Sequence, residues 1–365
     1  MSSSVKFAII GCGRISSRHI DALGKTPNAS LVALCDMNAE RLAEREAPES
    51  VERYTNYHTM LQSRPDIDVV SVLTPSGMHV EHALDVVQTY KRNVAIEKPL
   101  AMTPAQGKKL GDEAARNGVQ VFPIYQNRFN RAVQFAKDQL SGDGELGPVR
   151  VGTVRLRWCR PQRYYDLSPW RGTFSMDGGA LTNQGIHYVD LLRYLCGDIK
   201  RVNSKMATLG ADIEVEDTVV ATIEFESGAL GTLEVLTSAR PDDFEASVSC
   251  VAEKGLIQIG GVATNTLEIF SPDNSVCAEH SEEFPTVYGF GHDVVMAGIA
   301  DAVLGKGAPP TSLEDGLKTI SLLHAIYRSD EVGDWVDLAD NPTSERLGRP
   351  DDSLANLYRT PPEKN

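Results

Sequence analysis

Apolar residues follow two different patterns along this chain, and each pattern predicts its own kind of sheet. In the N-terminal part, short apolar runs are separated by segments whose apolar residues recur at helical spacing. The runs predicted to be strands are residues 5–10, 30–36, 68–73, 93–98 and 119–124, and the predicted helices include 14–25, 79–90 and 104–117. Strands that alternate with helices in this way favour a parallel sheet.

Farther along the chain, apolar and polar residues alternate one by one. Residues 217–238 alternate around Ser227-Gly228, as a hairpin with one buried face does, and residues 244–261 repeat the pattern. A chain of 365 residues is too long for one ordinary core and suits two domains. The second domain is therefore predicted to contain antiparallel strands.

The first predicted strand ends in a glycine turn that opens a helix. Gly11 and Gly13 let the backbone approach a pyrophosphate at the helix N-terminus, and Arg14 and Ile15 belong to the same turn. Ser16 stands where a third glycine is usual, and it is small enough for close packing of helix on strand. The pattern predicts dinucleotide binding, with a tight turn that holds no ligand as the alternative.

The second predicted strand ends in Asp36, a carboxylate placed to accept hydrogen bonds from a ribose diol. Asp36 would repel the 2′-phosphate of NADP, and the next two residues, Met37 and Asn38, supply no cation to receive one. NAD is therefore the predicted cofactor. Arg41 lies close enough downstream to leave NADP open.

Charge and cysteine content narrow the class of protein. The net charge of −14 argues against nucleic acid or an anionic membrane as the main partner, since such binding needs a clustered positive field. No signal-peptide pattern and no apolar run of about 18 residues occurs. The six cysteines show no paired short spacing, so we expect reduced thiols in a cytoplasmic protein and no metal site.

Residues 178–197, GGALTNQGIHYVDLLRYLCG, place three polar residues in an apolar run that is predicted to be helical. Asn183 and His187 are four residues apart and share a helix face, with Asp190 one turn further on. Alcohol oxidation releases a proton together with a hydride, and an imidazole with an ordinary pKa of about 6.5 suits its removal. His187 is the candidate general base. The alternatives are a core histidine, and a structural cap or salt bridge for Asp190.

Residues 155–172, RLRWCRPQRYYDLSPWRG, concentrate arginines and aromatic rings in an otherwise acidic chain. Guanidinium groups and planar rings together suit a ligand that has both a diphosphate and a base or sugar ring. The candidate substrate residues here are Arg155, Arg157, Tyr165, Trp170 and Arg171. The alternative is a sheet face whose arginines pair with acidic residues at a subunit interface.

The residues just past the run 119–124 are also candidates for ligand contact. Loops at the carboxyl ends of the strands of an open α/β sheet line the ligand crevice. Gln126 is therefore predicted to reach the nicotinamide amide, and Arg128 the substrate.

Several stretches resemble the family of glucose-fructose oxidoreductase, inositol dehydrogenase and MocA-like proteins. They are Glu97-Lys98-Pro99 at the end of a late strand, Gly11-Cys12-Gly13, TPSGMHVEHA at 74–83, GGALTNQGIHYVD at 178–190 and the C-terminal segment 291–329. The resemblance implies a Rossmann NAD-binding domain over residues 1–125. It also implies a substrate-binding and oligomerisation domain over 126–365, α+β with an open, mostly antiparallel sheet.

The resemblance also assigns residues to the site. It implies cofactor contacts at Thr74, Pro75, His79, Glu97 and Lys98. Lys98 would lie near the nicotinamide and the substrate hydroxyl, where a desolvated lysine next to a cationic ring can share the substrate proton.

A further residue of the site distinguishes branches of the family. Most members carry an aspartate where this chain has Asn183, and an amide hydrogen-bonds a sugar hydroxyl but cannot ionise. The stretch Asn-Gln-Gly-Ile-His resembles the branch that acts on nucleotide-linked sugars, as in UDP-N-acetylglucosamine 3-dehydrogenase.

The predicted function is thus NAD-dependent oxidation of a sugar hydroxyl, at C3 of a UDP-N-acetylhexosamine. Lys98 and His187 would handle the proton and Asn183 would position the hydroxyl. The alternatives are a dehydrogenase of a free polyol or sugar, a dehydratase or glycosidase that uses transient oxidation, and a non-catalytic sensor of NAD and sugar. A homodimer or homotetramer is expected, because an open sheet must cover its apolar outer face.

Overall fold

A computed structural model of the chain describes residues 4–284 and 288–362. The strands are β1 (Val5–Ile10), β2 (Ala29–Cys35), β3 (Glu52–Tyr54), β4 (Val69–Val72), β5 (Asn93–Ile96), β6 (Val121–Pro123), β7 (Val149–Arg157), β8 (Ile199–Ala207), β9 (Thr218–Phe225), β10 (Leu230–Leu236), β11 (Glu245–Ala252), β12 (Leu256–Gly260), β13 (Thr266–Ser271) and β14 (Val336–Asp337). The α-helices are α1 (Ser16–Lys25), α2 (Ala39–Ala43), α3 (Tyr57–Ser63), α4 (His79–Asp85), α5 (Pro104–Asn117), α6 (Arg131–Leu140), α7 (Gln162–Tyr165), α8 (Gly179–Asn183), α9 (Ile186–Cys196), α10 (Gly291–Val303), α11 (Leu313–Val332) and α12 (Asp352–Ala355).

The first sheet is parallel, as the alternating pattern predicted. Within the described residues it has six strands in the order β3-β2-β1-β4-β5-β6. The carboxyl ends of its strands all lie at one edge, which brings together the turns that follow β1, β2, β4 and β5. The short β3 was not predicted, because its three residues, two of them exposed, give no apolar run.

The described residues divide into two units, and the first unit takes in more than the N-terminal segment. It contains residues up to Ile124 and also 292–317 and 350–362, while the second unit contains 125–291 and 318–349. The sequence-based division had assigned all of 126–365 to the second domain. The returning segments are tied to the first unit by polar contacts, such as Asp293 with Lys25 at 2.9 Å and Arg359 with Glu81 at 2.9 Å. Helical periodicity does not encode such a choice of partner.

The second unit contains a mixed, mostly antiparallel sheet. Its order in the described part of the chain is β13-β12-β11-β7-β10-β9-β8-β14, and only β7 and β10 pair in parallel. The predicted hairpin is β9 and β10, joined at Gly228 with φ of +83°. Helix α9 packs on β7 and β11, where a side chain on Gly152 would lie 2.6 Å from Cys196 Sγ.

The other face of this sheet is exposed and carries a row of apolar side chains. Leu230, Val151 and Val251 occupy paired positions on β10, β7 and β11, and they are 58%, 39% and 44% exposed. The same face also carries the charged residues Arg155 and Arg157, so it is apolar only in part.

The described residues contain neither a membrane-spanning helix nor a disulfide. Within residues 4–284 and 288–362, no helix is both long enough and apolar enough to cross a bilayer. All six cysteines are free thiols. Cys12, Cys35, Cys196 and Cys250 are buried.

Candidate active site

The turn after β1 is shaped for close approach of a ligand to the backbone. Gly11 has φ of +98°, and a Cβ there would lie 2.7 Å from the backbone of Leu73. At Gly13 no atom of the described residues lies within 4 Å of the Cβ position. Helix α1 begins at Ser16, whose hydroxyl donates to the Gly13 carbonyl oxygen at 2.7 Å. Because the described first turn of α1 has no side-chain cap and no acidic residue, its N–H groups suit a pyrophosphate.

Asp36 lies beside this turn, at the end of β2. Its carboxylate accepts the backbone N–H of Cys12 at 2.8 Å and that of Asn38 at 2.9 Å, and the residue is 5% exposed. These bonds fix an anion where a ribose diol is expected, so the residues fit a dinucleotide. Arg41, the residue that left NADP open, forms an ion pair with Asp36 at 3.6 Å.

His79 connects the turns that follow β4 and β5. Its ring nitrogens lie 2.8 Å from the carbonyl oxygens of Thr74 and of Pro99, and burial lowers its pKa. Thr74 Oγ1 is 2.9 Å from Nδ1 of His82. The imidazole of His79 thus contacts protein backbone through both nitrogens and holds the loop that contains Thr74 and Pro75.

Lys98 follows β5 and is partly exposed, whereas Glu97 before it is buried. The Glu97 carboxylate lies 3.0 Å from His19 Nε2, 3.3 Å from His292 Nε2 and 3.1 Å from the backbone N–H of Lys98. Within the described residues this cluster is also the group whose ligand atoms lie close enough, within 4.8 Å, to hold a metal ion. Sequence reasoning missed both histidines, since each lies in a helical pattern far from residue 97.

In the second unit, the predicted helix that carries Asn183 and His187 is interrupted. Helix α8 ends at Asn183 and α9 begins at Ile186. Between them Gly185 donates to the Ala180 carbonyl oxygen at 2.7 Å, and a side chain on Gly185 would meet Val235 at 2.7 Å. The interruption thus coincides with a position where the backbone packs closely on β10.

His187 differs from its neighbours in exposure. Within the fully described stretch 181–190 it is the one residue that is not buried. Its Nε2 atom lies 3.4 Å from Nε2 of Gln126, a residue predicted to contact the nicotinamide. The structure therefore brings these two predicted site residues together.

Asn183 and the residue after it are held by a polar network. Asn183 Nδ2 donates to Asp177 Oδ1, and Asp177 Oδ2 accepts the backbone N–H of Gly172 at 2.8 Å. Gln184 Nε2 donates to the Tyr164 hydroxyl oxygen at 3.0 Å. Asp177, Gln184 and Tyr164 were not among the predicted site residues, because their roles depend on folding of the segment 155–184 back on itself.

The same network includes Arg171. Its Nη1 atom donates to the Tyr164 hydroxyl oxygen at 2.5 Å. Its guanidinium lies 4.4 Å from the Tyr164 ring and 4.6 Å from the Trp170 ring. Burial raises the pKa of the Tyr164 hydroxyl, so it remains a neutral partner. Arg171 is thus connected through Tyr164 to Gln184, the residue after Asn183, and Trp170 contacts Arg171.

Tyr165, by contrast, faces the core. It is 5% exposed, and its hydroxyl lies 3.0 Å from Thr237 Oγ1. On the short helix α7 adjacent residues face different directions, and it is Tyr164 that contacts Arg171 and Gln184.

Arg128 and Asp190 form a buried ion pair. Arg128 Nε and Nη2 donate to the two oxygens of Asp190 at 2.6 Å each, and Thr319 Oγ1 donates to Asp190 at 2.8 Å. The salt bridge that was the alternative for Asp190 is present. The substrate contact predicted for Arg128 is not supported by this placement, because the guanidinium is directed at the protein.

Arg155 and Arg157 lie on the exposed face of β7, opposite the face that packs on α9. Arg157 Nε is 2.6 Å from Glu234, and Arg155 Nη1 is 3.4 Å from Glu245. Hydrogen bonding to Glu234 raises the pKa of Arg157. This is the acidic pairing of the alternative interpretation, here within one sheet, and we do not assign these arginines to the substrate.

Comparison with known proteins identifies both halves of the chain. Residues 5–125 match the oxidoreductase family with an NAD-binding Rossmann fold, and residues 134–258 match the GFO/IDH/MocA C-terminal domain. The D-glucoside 3-dehydrogenase of Escherichia coli is 30% identical, over 92% of this chain and 98% of its own.

Solved structures give a similar result. The WlbA dehydrogenase of Bordetella pertussis, in complex with NADH and UDP-GlcNAcA, is 36% identical with a TM-score of 0.86, covering 92% of this chain and 98% of its own. WlbA of Chromobacterium violaceum, with the same two ligands, is 33% identical with a TM-score of 0.84, covering 92% and 96%. These matches confirm the predicted fold, the NAD cofactor and the oxidoreductase class.

Proposed function

Since the chain belongs to the GFO/IDH/MocA family of NAD-binding sugar oxidoreductases, we propose that it oxidises a UDP-linked N-acetylhexosamine, or its uronate, at the C3 hydroxyl. The observation that carries the proposal is the 36% identity, over nine-tenths of the chain, to a dehydrogenase seen with NADH and UDP-GlcNAcA. The name of the D-glucoside 3-dehydrogenase is consistent with oxidation at C3.

The cofactor and three side chains have separate roles in the proposed reaction. Bound NAD supplies the acceptor for the hydride that leaves the carbinol carbon. His187 takes up the hydroxyl proton as the general base, and Lys98 shares that proton with the hydroxyl while it is transferred. The amide of Asn183, held in place by Asp177, positions the sugar hydroxyl without competing for its proton.

Arg171 is the proposed site for the diphosphate of the substrate. Its guanidinium is held between the Tyr164 and Trp170 rings, so little conformational entropy is lost when it binds a phosphate oxygen. The exposed Arg163, in the same segment, offers a matched control. Arg171→Lys should raise KM for a UDP-sugar about tenfold or more, while Arg163→Lys should change it less than about twofold.

Mass spectrometry tests the reaction itself. The protein is incubated overnight with NAD and a panel of UDP-N-acetylglucosamine, its uronate, UDP-glucose, myo-inositol and glucose, each with and without 2-oxoglutarate. Loss of two hydrogens from a UDP-N-acetyl sugar supports the proposal. Oxidation of glucose or inositol instead would contradict the nucleotide-sugar assignment and favour the free-sugar alternative, to which the D-glucoside relative belongs.

Variants of Lys98 and His187 distinguish a catalytic protein from a non-catalytic sensor of NAD and sugar. Lys98→Met and His187→Ala should each lower kcat about 100-fold or more and leave the Kd for NAD within about threefold. If both variants kept turnover within a few-fold of the parent, the roles assigned to these residues would be wrong.

A further inference from the structure

A buried carboxylate in the first unit is surrounded by hydrogen-bond donors. Glu97 Oε1 lies 3.0 Å from His19 Nε2 and 3.3 Å from His292 Nε2. Its other oxygen, Oε2, accepts the backbone N–H of Lys98 at 3.1 Å. Glu97, His19 and His292 are 5%, 0% and 2% exposed. The cluster therefore belongs to the interior, with one contact to the backbone of a site residue.

The hydrogen-bond partners define the protonation of the cluster. Neither Nδ1 of His19 nor Nδ1 of His292 has a hydrogen-bond partner in the described residues. Each ring therefore donates through Nε2 and leaves its unprotonated nitrogen unpaired. Burial lowers the pKa of His19, which keeps its ring neutral. Burial alone would raise the pKa of Glu97, but the bonds from His19 and His292 hold it well below its usual value.

Such a cluster is costly to keep in a core. An ionised carboxylate and two polar rings lose their hydration, and apolar residues of similar size would fill the same volume at lower cost. The three residues come from α1, the end of β5 and α10, so three separate segments must converge to form it. Because both rings contact the same carboxylate oxygen, each contact restricts the orientation of the other side chains in the cluster.

We propose that His19 and His292 are positioning residues for the reaction. They hold the Glu97 carboxylate in one orientation. Its second oxygen, Oε2, accepts the backbone N–H of Lys98 and thereby fixes the direction of the lysine side chain. The inference rests on the proposed function in one respect, since there Lys98 handles the substrate proton.

Alanine variants with a conservative rescue test the proposal. His19→Ala and His292→Ala should each lower kcat about 10- to 100-fold, with the Kd for NAD within about threefold. His19→Gln should restore kcat to within about fivefold, because a glutamine amide can donate from nearly the place of Nε2. Glu97→Gln should lower kcat like the alanine variants, since its amide group turns a donor toward the Lys98 N–H.

Another buried histidine of the same unit, outside the cluster, is the matched control. His58 is 5% exposed, and its ring nitrogens lie 2.8 Å from the Tyr90 hydroxyl and 2.9 Å from the Thr360 carbonyl oxygen. His58→Gln should lower the melting temperature and leave kcat within about twofold of the parent. If His19→Ala lost stability as the control does and kept its kcat, the positioning role would be refuted.

Chemical labelling tests the environment of the Lys98 side chain without any sugar substrate. The acetylation rate of Lys98 is measured by peptide mass spectrometry, relative to that of Lys108, whose side chain is 74% exposed. The ratio should change about threefold or more in His19→Ala and Glu97→Gln, and should stay unchanged in His58→Gln. An unchanged ratio in all variants overturns the proposal, even if no sugar of the panel is oxidised and the proposed function fails.

Metal analysis tests the alternative that the cluster of His19, Glu97 and His292 binds a metal ion. Two imidazoles and a carboxylate are ligands that zinc accepts, but the separations of 3.0 Å and 3.3 Å are those of hydrogen bonds. Purified protein should contain no stoichiometric zinc. Stoichiometric zinc that is lost in His292→Ala would overturn the proposal and identify a metal centre.

Discussion

Replacing Glu216 by glutamine should remove most of the pH dependence of the stability of the second unit between pH 4.5 and 8. Glu216 is 5% exposed, and its Oε1 accepts the backbone N–H of Leu181 at 3.0 Å. The Tyr327 hydroxyl lies 2.8 Å from both carboxyl oxygens and also contacts the Gly178 carbonyl oxygen. These contacts anchor the start of α8, the helix that ends at Asn183.

The single phenol proton of Tyr327 cannot serve both Gly178 and an ionised Glu216. If Glu216 is protonated, its O–H donates to the Tyr327 oxygen, and the Tyr327 O–H donates to the Gly178 carbonyl oxygen. Every group then has a partner. In agreement with this arrangement, burial raises the pKa of Glu216 to about 8.

The sign of the effect follows from proton binding. In the unfolded chain a glutamate titrates near 4.5, so between pH 4.5 and 8 the folded protein binds a proton that the unfolded chain has lost. The free energy of unfolding therefore falls as pH rises, by about 1.4 kcal/mol per pH unit and about 5 kcal/mol over the whole window. Glutamine is neutral at every pH and keeps a donor for Tyr327. The two proteins should match in acid, and Glu216→Gln should be several kcal/mol more stable above pH 8.

Guanidinium denaturation from about pH 5 to about pH 9 measures this difference. All three tryptophans, Trp158, Trp170 and Trp335, belong to the second unit, so their fluorescence reports its unfolding. Glu253→Gln, at an exposed glutamate of the same unit, is the control and should leave the pH profile unchanged. If Glu216→Gln and the parent gave parallel profiles, a protonated Glu216 would be ruled out.

Other variants test separate parts of the structure. Asp36→Asn should weaken NAD binding about tenfold and improve NADP binding, measured by NADH and NADPH fluorescence titration, and an unchanged preference would refute its contact with the ribose. Gly11→Ala, with φ of +98° and its methyl carbon 2.7 Å from backbone of the turn after β4, should destabilise the first unit by about 2–4 kcal/mol in thermal denaturation. Asp190→Asn should cost about 3–5 kcal/mol in urea denaturation, because Arg128 loses its buried counter-charge, and a cost below about 1 kcal/mol would contradict a structural role. Val151→Glu, in the apolar row of the open sheet face, should shift the sedimentation coefficient to a smaller species if that row covers a second copy of the chain, and an unchanged oligomer would place the interface elsewhere.

Features that depend on the backbone could be predicted from sequence. Gly11 is needed where the chain has a positive φ and touches the neighbouring strand, and Asp36 is needed at the end of the next strand, so both follow from strand order. The hairpin around Gly228 follows in the same way from strict alternation. These features were predicted because each is determined within one or two adjacent elements.

Strand alternation also showed that Arg155 and Arg157 share a face of β7. It did not show whether that face packs on a helix or is exposed. Only the position of α9 on the opposite face decides that both arginines lie on the open side, beside Glu234 and Glu245. The helix break at Gly185 is similar, since it coincides with close packing on Val235 of β10. Contacts of this kind join segments far apart in sequence, and no local pattern encodes them.

Buried polar residues are the group that local periodicity places least well, and in this protein they surround the site. A charged residue in an apolar stretch must have a partner once it is buried, and the cost of leaving it unpaired exceeds the gain from any single exposed contact. Arg128, in a segment suited to ligand contact, is therefore explained first by Asp190, and Glu97 by His19 and His292. Among the basic candidates, Lys98, His187 and Arg171 are partly exposed and Arg128 is buried, which favours the proposed ligand roles of the first three over one for Arg128.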